Sequence, residues 1–132
     1  MSSRPLISVV DDDDSVRESL SALIRSLGFR VMVFSSGEGF LHSDHPLQTD
    51  CLILDVHMPR MNGIEVQRAL AAKHFAIPVI FFTGDGDAEA RTRALKDGAV
   101  ECLLKPFSDQ ALLNAIDRAL NSDGDPTERH NK

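Results

Sequence analysis

Apolar residues along the chain fall into two alternating kinds of run. Short continuous runs, "LISVV" at 6–10, "RVMVF" at 30–34, "CLILD" at 51–55, "PVIFF" at 78–82 and "ECLLK" at 101–105, are of strand length and predict β-strands. Between them the apolar positions recur at helical spacing. Val16, Leu20, Leu23 and Leu27, with Ile24 beside them, predict a one-sided amphipathic helix that stops at Gly28. Leu112, Leu113, Ile116, Ala119 and Leu120 predict another, with Ser108 able to cap its start. The segments 63–73, with Ile64, Val66 and Leu70, and 87–96, relying on Ala88, Ala90, Ala94 and Leu95, predict helices with thinner apolar faces. The stretch "SSGEGFLHSDHPLQT" at 35–49 supports at most a short helix around Phe40 and Leu41. Strands alternating with helices of this length imply βαβ units and a parallel sheet covered on both faces. From about residue 121, "NSDGDPTERHNK" loses all periodicity and is expected to be a solvated tail or linker.

Composition narrows this picture without changing it. With 132 residues, 42% hydrophobic and 26% charged, the chain is sized for one domain with a true core. A formal net charge of −6 argues against a free-standing nucleic-acid binder, because duplex affinity rests on Lys and Arg neutralising phosphates. Trp and Tyr are absent, so there is no evident platform for stacking bases. The opening "MSSRPLISVV" is too short in apolar residues for a signal-peptide core or a membrane span, and a cytoplasmic protein without membrane contact is expected. Cys51 and Cys102 each sit inside a strand-like run, which suits reduced, buried thiols better than a disulfide framework or a zinc site.

In an open parallel α/β sheet, binding sites gather outside the carboxyl ends of the strands, near the point where strand order reverses. Unusual polar residues stand at four such ends. Asp11 and Asp12 follow the first strand, Asp55 closes the third, Thr83 follows the fourth and Lys105 closes the fifth. Each has an ordinary explanation taken alone: an acid after a strand is commonly a helix cap, a Thr serves local turns, and Lys–Pro is a frequent strand exit. Their coincidence on corresponding ends of alternating strands is what those explanations handle poorly. Of the four consecutive acids at 11–14, Asp13 and Asp14 fall where the chain turns into its first helix, so a capping role is expected of them rather than a part in a metal site.

The motifs "VVDDDDSVR", "LDVHMPRMNG", "FFTG" and "KPF", in that order, resemble the receiver domain of two-component response regulators over about residues 5 to 121. The "TGDGD" stretch and the "SVRESL" start of the first helix further resemble receivers that regulate nitrogen fixation in rhizobia. The resemblance implies an α/β fold, a flavodoxin-like (βα)5 doubly wound parallel sheet of strand order 2-1-3-4-5, spanning 1–121 and followed by a polar tail or linker at 122–132. It implies Asp55 as phospho-acceptor, Asp11 and Asp12 as the acidic pair, and Thr83 and Lys105 as the residues that respond to the phosphoryl group. The implied cofactor is Mg2+, with Mn2+ as a substitute, bound directly by Asp12 and Asp55, through water by Asp11, and by the backbone carbonyl of His57. The implied partners are a sensor histidine kinase or phosphotransfer protein, a downstream effector domain or protein, and a second copy of the phosphorylated chain.

The chemistry accounts for the residue types. A carboxylate is a competent nucleophile on phosphorus. Like charges ~4 Å apart repel by on the order of 4 kcal/mol at an effective dielectric near 20, so a divalent cation is needed to admit the phosphoryl group. Lys105 and Thr83 then supply donors to its oxygens. Such a domain is a phosphorylation-controlled switch without turnover of a free substrate, acting on partners through the face of the fourth helix, fifth strand and fifth helix. Two features depart from, or vary within, the pattern. His57 and Asp85 occupy positions two after Asp55 and Thr83 that vary among receivers, and His57 is expected as an exposed loop side chain rather than a phospho-carrier. Cys102 stands where receivers usually place a Tyr or Phe whose rotamer partners Thr83 in the switch, whereas the small Gly84 leaves access to Asp55 open. The alternative is a pseudo-receiver, a constitutive interaction module; only Cys102 favours it, and the complete set of Asp11, Asp12, Asp55, Thr83 and Lys105 opposes it. A nucleotide- or flavin-binding relative is disfavoured by the acidic loop after the first strand and the lack of a Gly-rich phosphate cradle. Beyond residue 121 no effector domain is expected, which leaves a single-domain regulator or a receiver from a longer chain whose next domain binds DNA.

Overall fold

Each predicted apolar run forms a strand: β1 (Leu6–Val10), β2 (Arg30–Phe34), β3 (Cys51–Asp55), β4 (Val79–Thr83) and β5 (Glu101–Leu104). The fold comes from a computed structural model that describes residues 4–84 and 88–121 in full and the backbone of 122–124. The strands pair in parallel, in the order β2-β1-β3-β4-β5, as expected. Helices α1 (Asp14–Ser26), α2 (Gly37–Leu41), α3 (Gly63–Ala72), α4 (Ala88–Lys96) and α5 (Asp109–Gly124) link or follow them, with a 3-10 turn at His45–Leu47 before β3. Asp85 and residues 125–132 of the expected tail lie outside the described residues.

Alternate side chains of each central strand enter opposite cores. Ile7 and Val9 of β1, Ile53 of β3 and Ile80 and Phe82 of β4 pack with Leu20 and Ile24 of α1 and Leu112 and Ile116 of α5. Val10, Leu52, Leu54 and Phe81 pack on the other face with Phe40 of α2, Ile64, Val66 and Leu70 of α3, and Ala94 of α4. Full burial of each large chain contributes about 1.5–3 kcal/mol, which makes the β1-β3-β4 centre the rigid part of the molecule. At the β2 edge, Met32 and Val33 stay exposed although they belong to an apolar run.

Local signals set the helix ends. Asp13 caps α1, its carboxylate accepting from the amides of Ser15 and Val16, and Gly28 leaves the helix at φ +99, a conformation that other residues rarely adopt. Asn62 and Glu65 form a reciprocal capping box on α3. The Ser108 hydroxyl accepts from Ala111 N–H at 3.0 Å, as expected of a cap on α5. That helix runs to Gly124, beyond Leu120 where its apolar face ends. Among the described residues, no helix is long and apolar enough to cross a membrane.

Candidate functional site

Sheet register assembles the site. Val10 of β1 is level with Leu54 of β3, so Asp11 and Asp55, the next residues, leave the sheet side by side. This is the place where strand order reverses, with β2 on one side of β1 and β3 on the other. Asp55 is level with Phe82 of β4, Thr83 with Leu104 of β5, and the Lys105 amide donates to the Thr83 carbonyl at 2.8 Å. Thr83 and Lys105 thereby arrive at the same end of the sheet, and carboxylate oxygens of Asp11, Asp12 and Asp55 all lie within 4.8 Å of one another.

The surrounding backbone orients these carboxylates. Asp13 N–H donates to Asp11 Oδ1 at 2.8 Å, and His57 N–H donates to Asp55 Oδ1 at 3.2 Å. Gly63 brings the start of α3 against the end of β3: a Cβ there would lie 2.4 Å from the Asp55 carbonyl oxygen. Lys105 Nζ lies 3.9 Å from Asp11 Oδ2 and 4.7 Å from the centre of the Phe82 ring, so a cation–π contact helps place the ammonium over the site.

Charge in this pocket is incompletely compensated. Asp11 is fully buried and Asp55 nearly so, while Asp12 is exposed. Burial is the main cause that raises the Asp11 carboxyl from 3.8 to about 6; the negative charges of Asp55 and Asp12 add to it, and the Asp13 amide and Lys105 oppose it. Burial likewise raises Asp55, against the pull of Lys105 and the His57 amide. Asp11 Oδ2 and Thr83 Oγ1 are buried without a hydrogen-bond partner among the described residues. An all-oxygen donor set with excess negative charge and an unsatisfied buried carboxylate oxygen fits a hard divalent cation.

Asp11, Asp12, Asp55, Thr83 and Lys105, picked out separately along the chain, meet in one place. The His57 side chain is exposed, and its backbone lies beside Asp55. Cys102 stands apart, level with Phe81 in β5 and buried in the core on the α2–α4 face. Arg17 adds a contact that the sequence pattern does not reveal: its guanidinium donates to the Asp11 carbonyl at 2.7 Å and also pairs with Asp14. The i,i+3 spacing from Asp14 could have flagged the ion pair, but the bond back to Asp11 needs the folded loop.

Residues 7–117 match the family described as "Response regulator receiver domain". The chain belongs to that family. Among relatives of this receiver, the response regulator protein TmoT of Ectopseudomonas mendocina is 49% identical over 87% of the chain and 52% of its own length. Nodulation protein W of Bradyrhizobium diazoefficiens is 45% identical over 92% of the chain and 54% of its own. Among solved structures, the response regulator StyR superposes with a TM-score of 0.85 at 46% identity, over 98% of this chain and 64% of that one. FixJ-N superposes with 0.83 at 36% identity, over 92% and 96%. The receiver spans about half the length of the curated relatives it matches. Membership makes it a phospho-accepting signalling domain rather than a turnover enzyme, and the resemblance to rhizobial regulators holds in the likeness to nodulation protein W and FixJ.

Proposed function

We propose that this receiver is a phosphorylation-controlled switch in which Asp55 is the phospho-acceptor. The observation that carries the assignment is the convergence of the three carboxylates within 4.8 Å beside Lys105 and the buried Thr83 hydroxyl, which has no hydrogen-bond partner among the described residues. A carboxylate oxygen of Asp55 attacks phosphorus while the P–N bond of a donor phospho-histidine breaks, the leaving imidazole nitrogen keeping the electron pair. Lys105 and Thr83 donate to the transferred phosphoryl oxygens and hold them against Asp55. Asp11, Asp12, Asp55 and the His57 carbonyl would hold Mg2+, or Mn2+ in its place, which would neutralise the repulsion between the acids and the incoming group. Loss of the phosphoryl group to water returns Asp55 to a carboxylate.

The donor is a sensor histidine kinase or a phosphotransfer protein in the cytoplasm. The output passes through the α4-β5-α5 face to an effector domain or protein, or to a second phosphorylated copy. The relatives that extend well beyond this domain support the first of these. Intact mass after incubation with acetyl phosphate and Mg2+ should show one added phosphoryl group, absent in Asp55→Asn and abolished by a chelator. Stoichiometric labelling of Asp55→Asn would overturn the site, and no labelling of the wild type would favour a constitutive pseudo-receiver.

A further inference from the structure

Four atoms of Asp11 can meet partners, and three of them are tied. Its amide donates to the Phe34 carbonyl at 3.1 Å, its Oδ1 accepts from Asp13 N–H at 2.8 Å, and its carbonyl accepts from Arg17 Nη1 at 2.7 Å. Oδ2, the fourth, has no hydrogen-bond partner among the described residues, only Lys105 Nζ at 3.9 Å. The carbonyl bond matters beyond Asp11 itself, because the Asp11 carbonyl and the Asp12 amide share one rigid peptide plane. Fixing that carbonyl fixes the direction in which Asp12 leaves the strand. Arg17 reaches it from the first turn of α1, and the same helix turn is capped by Asp13. The Arg17 side chain therefore ties the end of β1 to the first turn of α1, alongside the bonds made by the Asp11 and Asp13 carboxylates.

We propose that Arg17 is a positioning residue for the metal-binding acids: through the Asp11 carbonyl it sets the directions of the Asp11 and Asp12 carboxylates. The proposal rests on the reading of this pocket as a divalent-cation site. A simpler role is a surface ion pair with Asp14, whose side chain is 91% exposed while that of Arg17 is 17% exposed. Another is a bulk electrostatic effect. The three differ in sign. A guanidinium near the pocket repels a cation, so its removal should tighten metal binding if charge is all that matters. Its removal should weaken binding if it orients ligands, since losing a residue that orients metal ligands typically costs about 10- to 100-fold in affinity.

The test is Mg2+ titration by calorimetry on the unphosphorylated full chain, with labelling by acetyl phosphate as a second reading. Arg17→Gln should raise the Mg2+ dissociation constant about tenfold. Asp14→Asn, which breaks the ion pair and spares the carbonyl bond, should leave it within about twofold. Arg17→Lys keeps the charge but offers a compact ammonium in place of a planar fork and should fall between wild type and Arg17→Gln. In labelling, Arg17→Gln should need more Mg2+ for half-maximal rate yet reach a wild-type rate at saturation. The amide signals of Asp12 and Asp13 should shift in that variant and stay in place in Asp14→Asn. Unchanged or tighter Mg2+ binding by Arg17→Gln overturns the proposal, as does equal weakening by Asp14→Asn. Should Arg17→Gln fail to fold, Arg17→Lys decides, and a wild-type dissociation constant there overturns it. Wild-type protein that binds Mg2+ but takes up no phosphoryl group would refute the phospho-acceptor reading and leave this one standing; wild-type protein that binds no Mg2+ refutes both.

Discussion

Replacing Asp11 by Asn should stabilise the metal-free protein above neutral pH and have little effect near pH 4. The Asp11 carboxyl is wholly buried and its folded value is raised from 3.8 to about 6. Between those values the native state holds a proton that the unfolded chain has released, so stability falls as pH rises through this window. The penalty is absent below about pH 4 and complete above about pH 6. A rise of roughly two units, at 1.36 kcal/mol each, amounts to about 3 kcal/mol. The Asn variant keeps an acceptor for the Asp13 amide, and the attraction to Lys105 that it gives up is already contained in the raised value, so the net gain stays at about 3 kcal/mol. For a chain of this length that is a rise in Tm of about 11 °C. Asp55 is raised as well, yet it is present in both proteins and largely cancels in the comparison. The assay is calorimetric melting of both proteins in a chelator from pH 4 to 8. The melting curves should coincide at the acid end and separate progressively up to pH 7.5. Saturating Mg2+ should then raise the wild type and narrow the gap, since a cation that binds only the folded state adds its binding free energy to stability. A gap independent of pH, or a variant less stable than wild type at pH 7.5, would refute the reasoning.

Two further substitutions probe the scaffold of the site. In Gly63→Ala the new Cβ would lie 2.4 Å from the Asp55 carbonyl oxygen and 2.9 Å from Phe81 Cε1. The backbone oxygen cannot retreat without moving the acceptor strand, so a loss of about 1–3 kcal/mol is expected; a melting temperature within about 1 °C of wild type would contradict it. Cys102→Ala should leave Asp55 labelling and the NMR shift changes of residues 88–96 on binding beryllium fluoride nearly unchanged. Loss of those shift changes with normal labelling would show that the thiol is part of the switch.

The fold was legible because β1, β3 and β4 are fully buried and apolar, and such runs stand out whatever surrounds them. Boundaries moved where a hydrogen bond, not hydrophobicity, ends an element. Pro78 contributes its carbonyl to Leu52 N–H at 2.9 Å but has no N–H of its own, and β4 begins one residue later. It then extends to Thr83, whose carbonyl accepts from the Lys105 amide. The members of the site were legible for a related reason: residues at strand carboxyl ends converge in any sheet of this order. Their individual environments were not. Asp11 and Asp12 are neighbours in the chain, yet one is fully buried and the other exposed, because the chain leaves the sheet between them. The cap fell to Asp13 rather than Asp14 because its backbone is extended, at φ −94 and ψ 119, which turns its carboxylate onto the free amides of the first turn.

Position 102 bears on how the proposed switch is transmitted. A large aromatic there would couple Thr83 to the surface by filling whatever space the Thr vacates. Cys102 is small, 3% exposed and packed in the core on the α2–α4 face, so it can transmit little by steric contact. The next helix along the chain after Thr83 is α4, and its attachment is unlike that of the other long helices. Ala94 is the one fully buried residue along it among the described residues. Polar bonds hold it at both ends: Arg91 donates to the Cys102 carbonyl at 3.4 Å and faces Glu101 at 3.8 Å, while Gln67 and Arg68 of α3 reach Asp97 at 3.3 and 3.4 Å. Half-exposed contacts of this kind contribute roughly 0–1 kcal/mol each, far less than the buried side chains that hold α1 and α5. An element held that way rearranges at low free-energy cost. We propose that the small residue at 102 and the lightly buried α4 are two parts of one arrangement: where position 102 offers little steric leverage, α4 is held weakly enough to move at low cost when Thr83 does.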